Sequence, residues 1–349
     1  MTKLLEIKDK IVKFYSNYEI YVNIVFKFIV AFTAFEMINL NVGYFAKTSN
    51  LTVALVLALL SSLLPTNAII IFSGILIILD MYALSIEVAA IAILLFALIY
   101  LVYFRFSPKD GYIGVLTTIL CRLNIPFIMP IAVGLLKNLQ SAVAVVCGTV
   151  VYFFLYGIKR SATELTVATG AEKTENASKF NVTIGQLLGN KEMYLVILVF
   201  VLTIIVVWGV RKLKADHAWT IAIVLGTLIQ LAALIIGYVV LGISGRTVML
   251  IIGNAVSLLG GFVLEFWFMN LDYSRTERVQ FEDDEYYYYV KAVPKKMVAS
   301  GEKTVKHFGN TGSLGKVIDK RNMNTSIVNE ETSKKVIAQE LEIDEDLLD

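Results

Sequence analysis

Ten apolar runs separated by polar breaks decide what this chain can fold into. They lie at Ile24 to Phe45, Leu51 to Leu64, Ala68 to Ala83, Val88 to Phe104, Tyr112 to Cys121, Ile125 to Leu136, Ala142 to Ile158, Met193 to Val210, Trp219 to Leu241 and Val248 to Met269. A helix needs about 20 apolar residues to cross roughly 30 Å of hydrocarbon, and most of these runs approach that length. A lone strand would leave its backbone groups unpaired in lipid, so helices are the expected form. With 57% hydrophobic and 17% charged residues over 349 positions, the expected medium for most of the chain is lipid. The fold class that follows is an all-α polytopic membrane protein of about eight to ten transmembrane helices.

Charge is divided unevenly. Residues 270 to 349 hold 12 Lys and Arg against 16 Asp and Glu, a net of −4, so the rest carries +6 to reach the total of +2. A basic body suits anionic lipid, and an acidic appendage suits a separate task. Residues 1 to 22 include an amphipathic helix from Lys3 to Tyr21, with Leu4, Ile7, Ile11, Phe14, Tyr15 and Tyr18 opposed to Glu6, Asp9, Lys10 and Lys13. It is expected along the inner membrane surface or on the protein's own cytoplasmic face. No compact apolar core followed by small residues opens the chain, so the first span is expected to act as its own insertion signal.

Orientation follows from short basic loops, which stay cytoplasmic. Placing Arg211-Lys212-Leu213-Lys214 inside puts the long polar loop 159 to 192 outside, and both termini inside. Counting back puts the Arg105 to Gly111 loop and Lys137 inside as well. That arrangement closes only if Leu51 to Ala83 and Tyr112 to Leu136 each enter and leave on one side. Their runs of 14, 10 and 12 residues would span only about 21, 15 and 18 Å at ~1.5 Å per residue. Two broken, re-entrant helical hairpins are therefore expected, with turns inside the membrane's depth. The helix breaks fall at Pro65 in one and at Pro126 and Pro130 in the other, and Asn67 or Asn124 could satisfy freed backbone groups.

Half-helices that meet in a membrane offer oriented dipoles and unpaired carbonyls to solutes. Ionisable residues at depth need a partner, since a charge at the bilayer centre costs at least about 2.5 kcal/mol. Glu36 and Asp80 fall within apolar runs and Arg122 in the second turn, so a pairing of either carboxylate with Arg122 is expected. The candidate solute or ion path is Glu36, Asp80, Asn67, Arg122 and Asn124; a structural ion pair is the alternative. In that mechanism the carboxylates bind a cation or proton and release Arg122 on protonation. Glu87, Lys137 and Glu265 lie near span ends and are expected to reach the headgroups. Gly253, Ser257 and Gly261 repeat every fourth residue and should let another helix approach closely, within the chain rather than across a dimer. Asn176-Ala177-Ser178 and Asn181-Val182-Thr183 are formal glycosylation sequons without an assigned role.

Beyond the transmembrane region, 23 to 269, residues 270 to 296 read as a small cytoplasmic β-hairpin. Val279 to Phe281 and Tyr286 to Val293 are rich in strand formers and flank an acidic turn. A two-stranded hairpin is marginal alone and calls for a partner, which Tyr286, Tyr287, Tyr288 and Tyr289 could bind. Residues 297 to 349 read as a disordered acidic tail. It ends in alternating hydrophobic and acidic residues, with Leu347 and Leu348 suited to a basic groove.

Cys121 and Cys147 sit in apolar segments and build neither a disulfide framework nor a zinc site. No phosphate loop, dinucleotide fingerprint or hydrolase motif occurs. No catalytic residue, metal, cofactor or nucleic-acid partner is therefore expected, and no enzyme. The partners expected are the lipid bilayer and a cytoplasmic protein on the tail, with the oligomeric state left open.

Two stretches carry a resemblance. Arg105-Phe106-Ser107-Pro108-Lys109 through Ile125-Pro126-Phe127-Ile128-Met129-Pro130, and Tyr273-Ser274-Arg275-Thr276-Glu277-Arg278-Val279-Gln280-Phe281-Glu282-Asp283-Asp284-Glu285-Tyr286, are similar to uncharacterised, permease-like membrane proteins of Gram-positive anaerobic bacteria. The resemblance covers about a quarter of the chain. It implies a multi-pass protein of the bacterial plasma membrane and carries over no functional residue. The sequence thus points to a transporter or permease subunit moving a small solute or ion. The alternative is a non-transporting membrane scaffold that recruits a cytoplasmic partner through its tail.

Overall fold

A computed structural model describes residues 2–167, 181, 183–213, 215–243, 247–269, 277–282 and 286–292. Eleven helices have defined bounds among them: α1 Thr2–Asn17, α2 Glu19–Val42, α3 Leu51–Leu63, α4 Asn67–Leu84, α5 Ile86–Phe106, α6 Gly111–Arg122, α7 Ile128–Leu136, α8 Ala142–Val167, α9 Lys191–Arg211, α10 Ala218–Val240 and α11 Thr247–Phe268. Seven of them, α2, α4, α5, α8, α9, α10 and α11, are long and apolar enough to cross a membrane. The shorter α3, α6 and α7 account for the rest of the eight to ten apolar segments expected. Leu94, Leu101, Leu198 and Val239 all leave more than 60% of their surface open. A belt of such side chains around many helices would aggregate in water, and fits a multi-pass protein in lipid.

Local chemistry sets the helix ends. Asn190 caps α9 by accepting from the Met193 N–H at 3.1 Å. Pro65 lies in the link before α4, and Pro126 lies between α6 and α7. Pro130 stands in the first turn of α7, where its missing N–H leaves no intrahelical bond unmade, so it starts that helix rather than breaking it.

Side-chain contacts fix the running direction of each helix. The Lys27 ammonium donates to the Leu64 carbonyl at 3.3 Å, so α3 returns antiparallel to α2. Asp80, near the end of α4, accepts from the Phe45 N–H at 3.0 Å, so α4 runs with α2. Tyr100 and Tyr103 donate to the Ile70 carbonyl and to Asn67 Oδ1 at 3.0 and 2.9 Å, which turns α5 back. Lys137, after α7, meets Asp110, before α6, at 3.0 Å, so the α6–α7 pair leaves on the face by which it entered. Arg211, at the end of α9, donates to the carbonyls of Leu135 and Lys137 on that same face. Tyr238 of α10 reaches Glu192 of α9 at 2.8 Å on the other. Lys8 of α1 donates to the Phe266 carbonyl at 2.6 Å, bringing the two ends of the helical body to one face. We call this the terminal face, and the opposite one the far face.

Three buried groups of side chains hold the body, the smallest formed by Ile131, Leu135, Val207, Ala222 and Ile223. Phe35, Ile69, Ile77 and Met81 centre the first, from α2 and α4, and Phe200, Ile204 and Leu234 the second, from α9 and α10. In α10 the buried positions Ala222, Gly226, Gln230, Leu234 and Tyr238 recur every fourth residue, one face of a helix. On α11 the expected small-residue face is used inside the chain. Gly253 lies under the Phe127 ring, Ser257 donates to the Phe127 carbonyl, and Gly261 lies under Ile223.

Two strands, β1 Glu277–Glu282 and β2 Tyr287–Ala292, pair antiparallel with Phe281 opposite Tyr288. Tyr286, Tyr287 and Tyr288 are exposed there. The acidic turn 283–285, the Tyr289 side chain, the tail with Leu347 and Leu348, and the first sequon at Asn176 lie outside the described residues.

Candidate functional site

The α6–α7 hairpin is built around a break that other helices repair. After Arg122 the chain turns through Asn124, whose φ of 62° places it in the left-handed region that asparagine tolerates better than most residues. The Phe127 carbonyl, at the N-cap of α7, is buried and takes further donors from two other helices. Gln230 donates to it at 3.2 Å and Ser257 at 2.8 Å. Gln230 also donates to Asn254 Oδ1 at 3.2 Å. The expected role of Asn67 and Asn124 in satisfying the break thus falls to α10 and α11 instead. Asn67 accepts from the Tyr103 hydroxyl, and Asn124 supplies the turn.

At its entry the hairpin is clasped. Asp110 takes Lys137 at 3.0 Å and the Ser141 hydroxyl at 2.6 Å, while the Lys137 ammonium stands 5.3 Å from the centre of the Tyr112 ring. Burial lowers the proton affinity of Lys137, but Tyr112 and Asp110 more than offset it, so its ammonium titrates above the ordinary 10.5. Ser107 completes the clasp by donating to the Gln140 carbonyl at 2.6 Å. Lys137 was expected among the headgroups; it has protein partners. Glu265 likewise accepts from Thr220 at 2.6 Å, and Glu87 accepts from Ser85.

A cavity of about 420 Å³ runs along α6, lined from Gly111 at its start to Arg122 at its end. Eleven rises of ~1.5 Å make this length about 16 Å. A void of that size is in the range of small-molecule sites. Its walls come from α2, α4, α5, α8 and the second-half helices, and include both cysteines, Cys121 and Cys147. α6 and α8 approach closely beside it: Gly148 leaves no room for a Cβ against Gly114, and Thr118 bridges to the Gly148 carbonyl at 3.0 Å.

Of the residues singled out from sequence, Arg122, Asn124 and Pro126 line this cavity; Glu36, Asp80, Asn67, Pro65 and Pro130 do not. The pairing of Arg122 with Glu36 or Asp80 is not formed. Arg122 Nε donates to Asn41 Oδ1 at 2.7 Å, one residue from the end of α2, and Lys159 Nζ reaches the same oxygen at 3.4 Å. Asp80 is instead buried against the backbone N–H groups of Phe45 and Tyr44, where the loop after α2 folds over the end of α4. Its proximity and burial together raise the Tyr44 phenol, burial contributing more. Glu36 keeps one buried oxygen without a hydrogen-bond partner. Sequence inspection missed Asn41, Lys159, Glu192 and Tyr238, because all four fall near predicted helix ends, where polar residues are ordinary.

The turn of the first hairpin also differs from expectation. Asn67 accepts from Tyr103, whose hydroxyl also donates to the Pro108 carbonyl, so the start of α4 lies beside the loop that follows α5. α4 begins at Asn67 and runs 18 residues, about 27 Å, long enough for a full crossing.

Comparison of the chain with protein-family models, with characterised proteins and with solved structures gives no match.

Proposed function

We propose that the chain is a membrane transporter or permease subunit of the plasma membrane that moves a small solute through the cavity along α6, with both termini cytoplasmic. The observation that carries this reading is the cavity itself, walled by a hairpin whose two ends share one face and whose broken turn lies beside Asn41 of α2 and Lys159 of α8. Such interrupted helices are where transporters place solutes, and a re-entrant α6–α7 pair is consistent with that use. The helix ends and short loops of the terminal face carry Arg105, Lys109, Lys137, Arg211 and Lys212, which supports placing it in the cytoplasm.

The native cysteines supply a test that needs no known solute. With Cys121→Ser in proteoliposomes, Cys147 should react with an impermeant maleimide from the far face and, more slowly, from the terminal face, because a transport cavity opens in turn to each side. Reaction from one side alone, or from neither, would overturn transport. A second reading, recruitment of a soluble partner, is supported by the exposed Tyr286, Tyr287 and Tyr288 on the paired strands.

A further inference from the structure

We infer that the cavity takes an amphipathic organic anion, its carboxylate or phosphate head held by Arg122, Lys159 and Asn41 and its narrow apolar body lying along α6. This deepens the transporter reading and rests on it only for the cavity being open.

Both cations address one neutral oxygen. With Arg122 Nε at 2.7 Å and Lys159 Nζ at 3.4 Å from Asn41 Oδ1, the two nitrogens are at most 6.1 Å apart, the sum of those distances. Like charges held so close disfavour one another unless an anion joins them. Among the described residues the ion pairs are Lys13 with Asp9 and Lys137 with Asp110, and no carboxylate lies within 4.0 Å of Arg122 or Lys159. Asn41 accepts hydrogen bonds from both without neutralising either. The guanidinium has five donors, and Asn41 engages one, so its planar Nη pair is available for the two-pronged hold that carboxylates and phosphates accept.

Beneath this charged mouth the lining turns apolar, with Ile38, Ile77, Phe96, Ile99 and Val151. Glu192 also lines the cavity, but the Tyr238 hydroxyl donates to it at 2.8 Å. Two cations against one carboxylate leave a net positive lining, so a cationic ligand is disfavoured. A bare inorganic anion would satisfy the mouth and leave the mostly apolar remainder of the cavity along α6 without an occupant. An anion with a chain-like apolar body meets both requirements.

The test uses the full-length Cys121→Ser protein in proteoliposomes and reads the rate of Cys147 labelling from the far face. Octanoate and octyl phosphate should each slow labelling several-fold. Octylamine, octanol and inorganic phosphate at equal concentration should leave it unchanged. Protection by octyl phosphate alone supports the inference and assigns a phosphate head. Arg122→Gln combined with Lys159→Gln should abolish protection while labelling without added compound persists, which also reports that the cavity is intact; Arg122→Lys should retain part of it. Equal protection by octylamine or octanol, protection by inorganic phosphate alone, protection by none of these compounds, or protection that survives the double substitution would overturn the inference. Absence of labelling without any added compound would instead sink the transporter reading.

Discussion

A single carbonyl shows how the membrane environment is managed at the scale of the residue. Phe127 accepts from two side chains, Gln230 and Ser257, which stand 103 and 130 positions away in the chain. Interhelical hydrogen bonds of this kind contribute about 0.6 kcal/mol each on average in membranes. Ser257→Ala and Gln230→Leu should therefore each lower stability modestly, since the other donor remains. Together they should lower it by about the sum of the two, as read by denaturant unfolding in detergent, because the carbonyl keeps its bond in the first turn of α7; a loss well beyond the sum would show that it depends on these two donors alone. Sequence alone revealed the break, through Pro126 and the short flanking runs. It did not reveal the repair, because a buried Gln and Ser on distant helices carry no periodic or local signal. Arg122 was likewise legible as an ionisable residue needing a partner, but Asn41 was not legible as that partner. A neutral amide near a helix end looks no different from any solvated one.

Among the elements, the α6–α7 hairpin was the most legible and the α3–α4 hairpin the least. Apolar length and proline position forecast where helices stop, and they do not forecast depth. Asn67 finds Tyr103, which also reaches Pro108, on the terminal face, contacts that only the folded chain defines. The α6–α7 hairpin is closed at its base by Asp110, Lys137 and Ser141. Lys137 keeps 36% of its side chain open and Asp110 13%, and ion pairs with an exposed member add little to stability. The clasp should therefore matter for opening more than for folding. Lys137→Met should leave the unfolding midpoint nearly unchanged and raise the rate at which Cys147 is labelled from the terminal face. Asp110→Lys with Lys137→Asp should restore the slow rate by reversing the pair. The lysine's proton affinity is raised, so its contribution is fully present below the ordinary lysine value of 10.5 and is lost only as pH rises through the higher folded value. Loss of the clasp's Lys137 side on going from neutral to mildly alkaline solution would contradict that assignment.

For the whole molecule, the contacts between helices impose one alternation. α2 leaves the terminal face and α3 returns; α4 leaves and α5 returns; α6 and α7 leave and return as a pair; α8 leaves, α9 returns, α10 leaves and α11 returns. Every independent cross-contact agrees with this order, and one reversed helix would separate several bonded pairs at once. The basic loops suggested the same alternation before any contact was known, because charge near span ends reports sidedness even where span length misleads. What they could not supply was the place of α3. Its 13 residues reach only about 20 Å at ~1.5 Å per residue, yet its end meets Lys27 well inside α2. Sidedness is then testable in a chain with Cys121→Ser and Cys147→Ser. A cysteine at Lys47, in the loop after α2, should react with an impermeant maleimide on intact cells; a cysteine at Lys212, after α9, should react only once the membrane is opened. Reaction of both on intact cells would mean that α3 fails to cross or that the α6–α7 segment crosses an odd number of times. Reversal of both would instead keep the alternation and invert the molecule, placing Arg122 and Lys159 toward the cytoplasm and turning uptake of an anion into export.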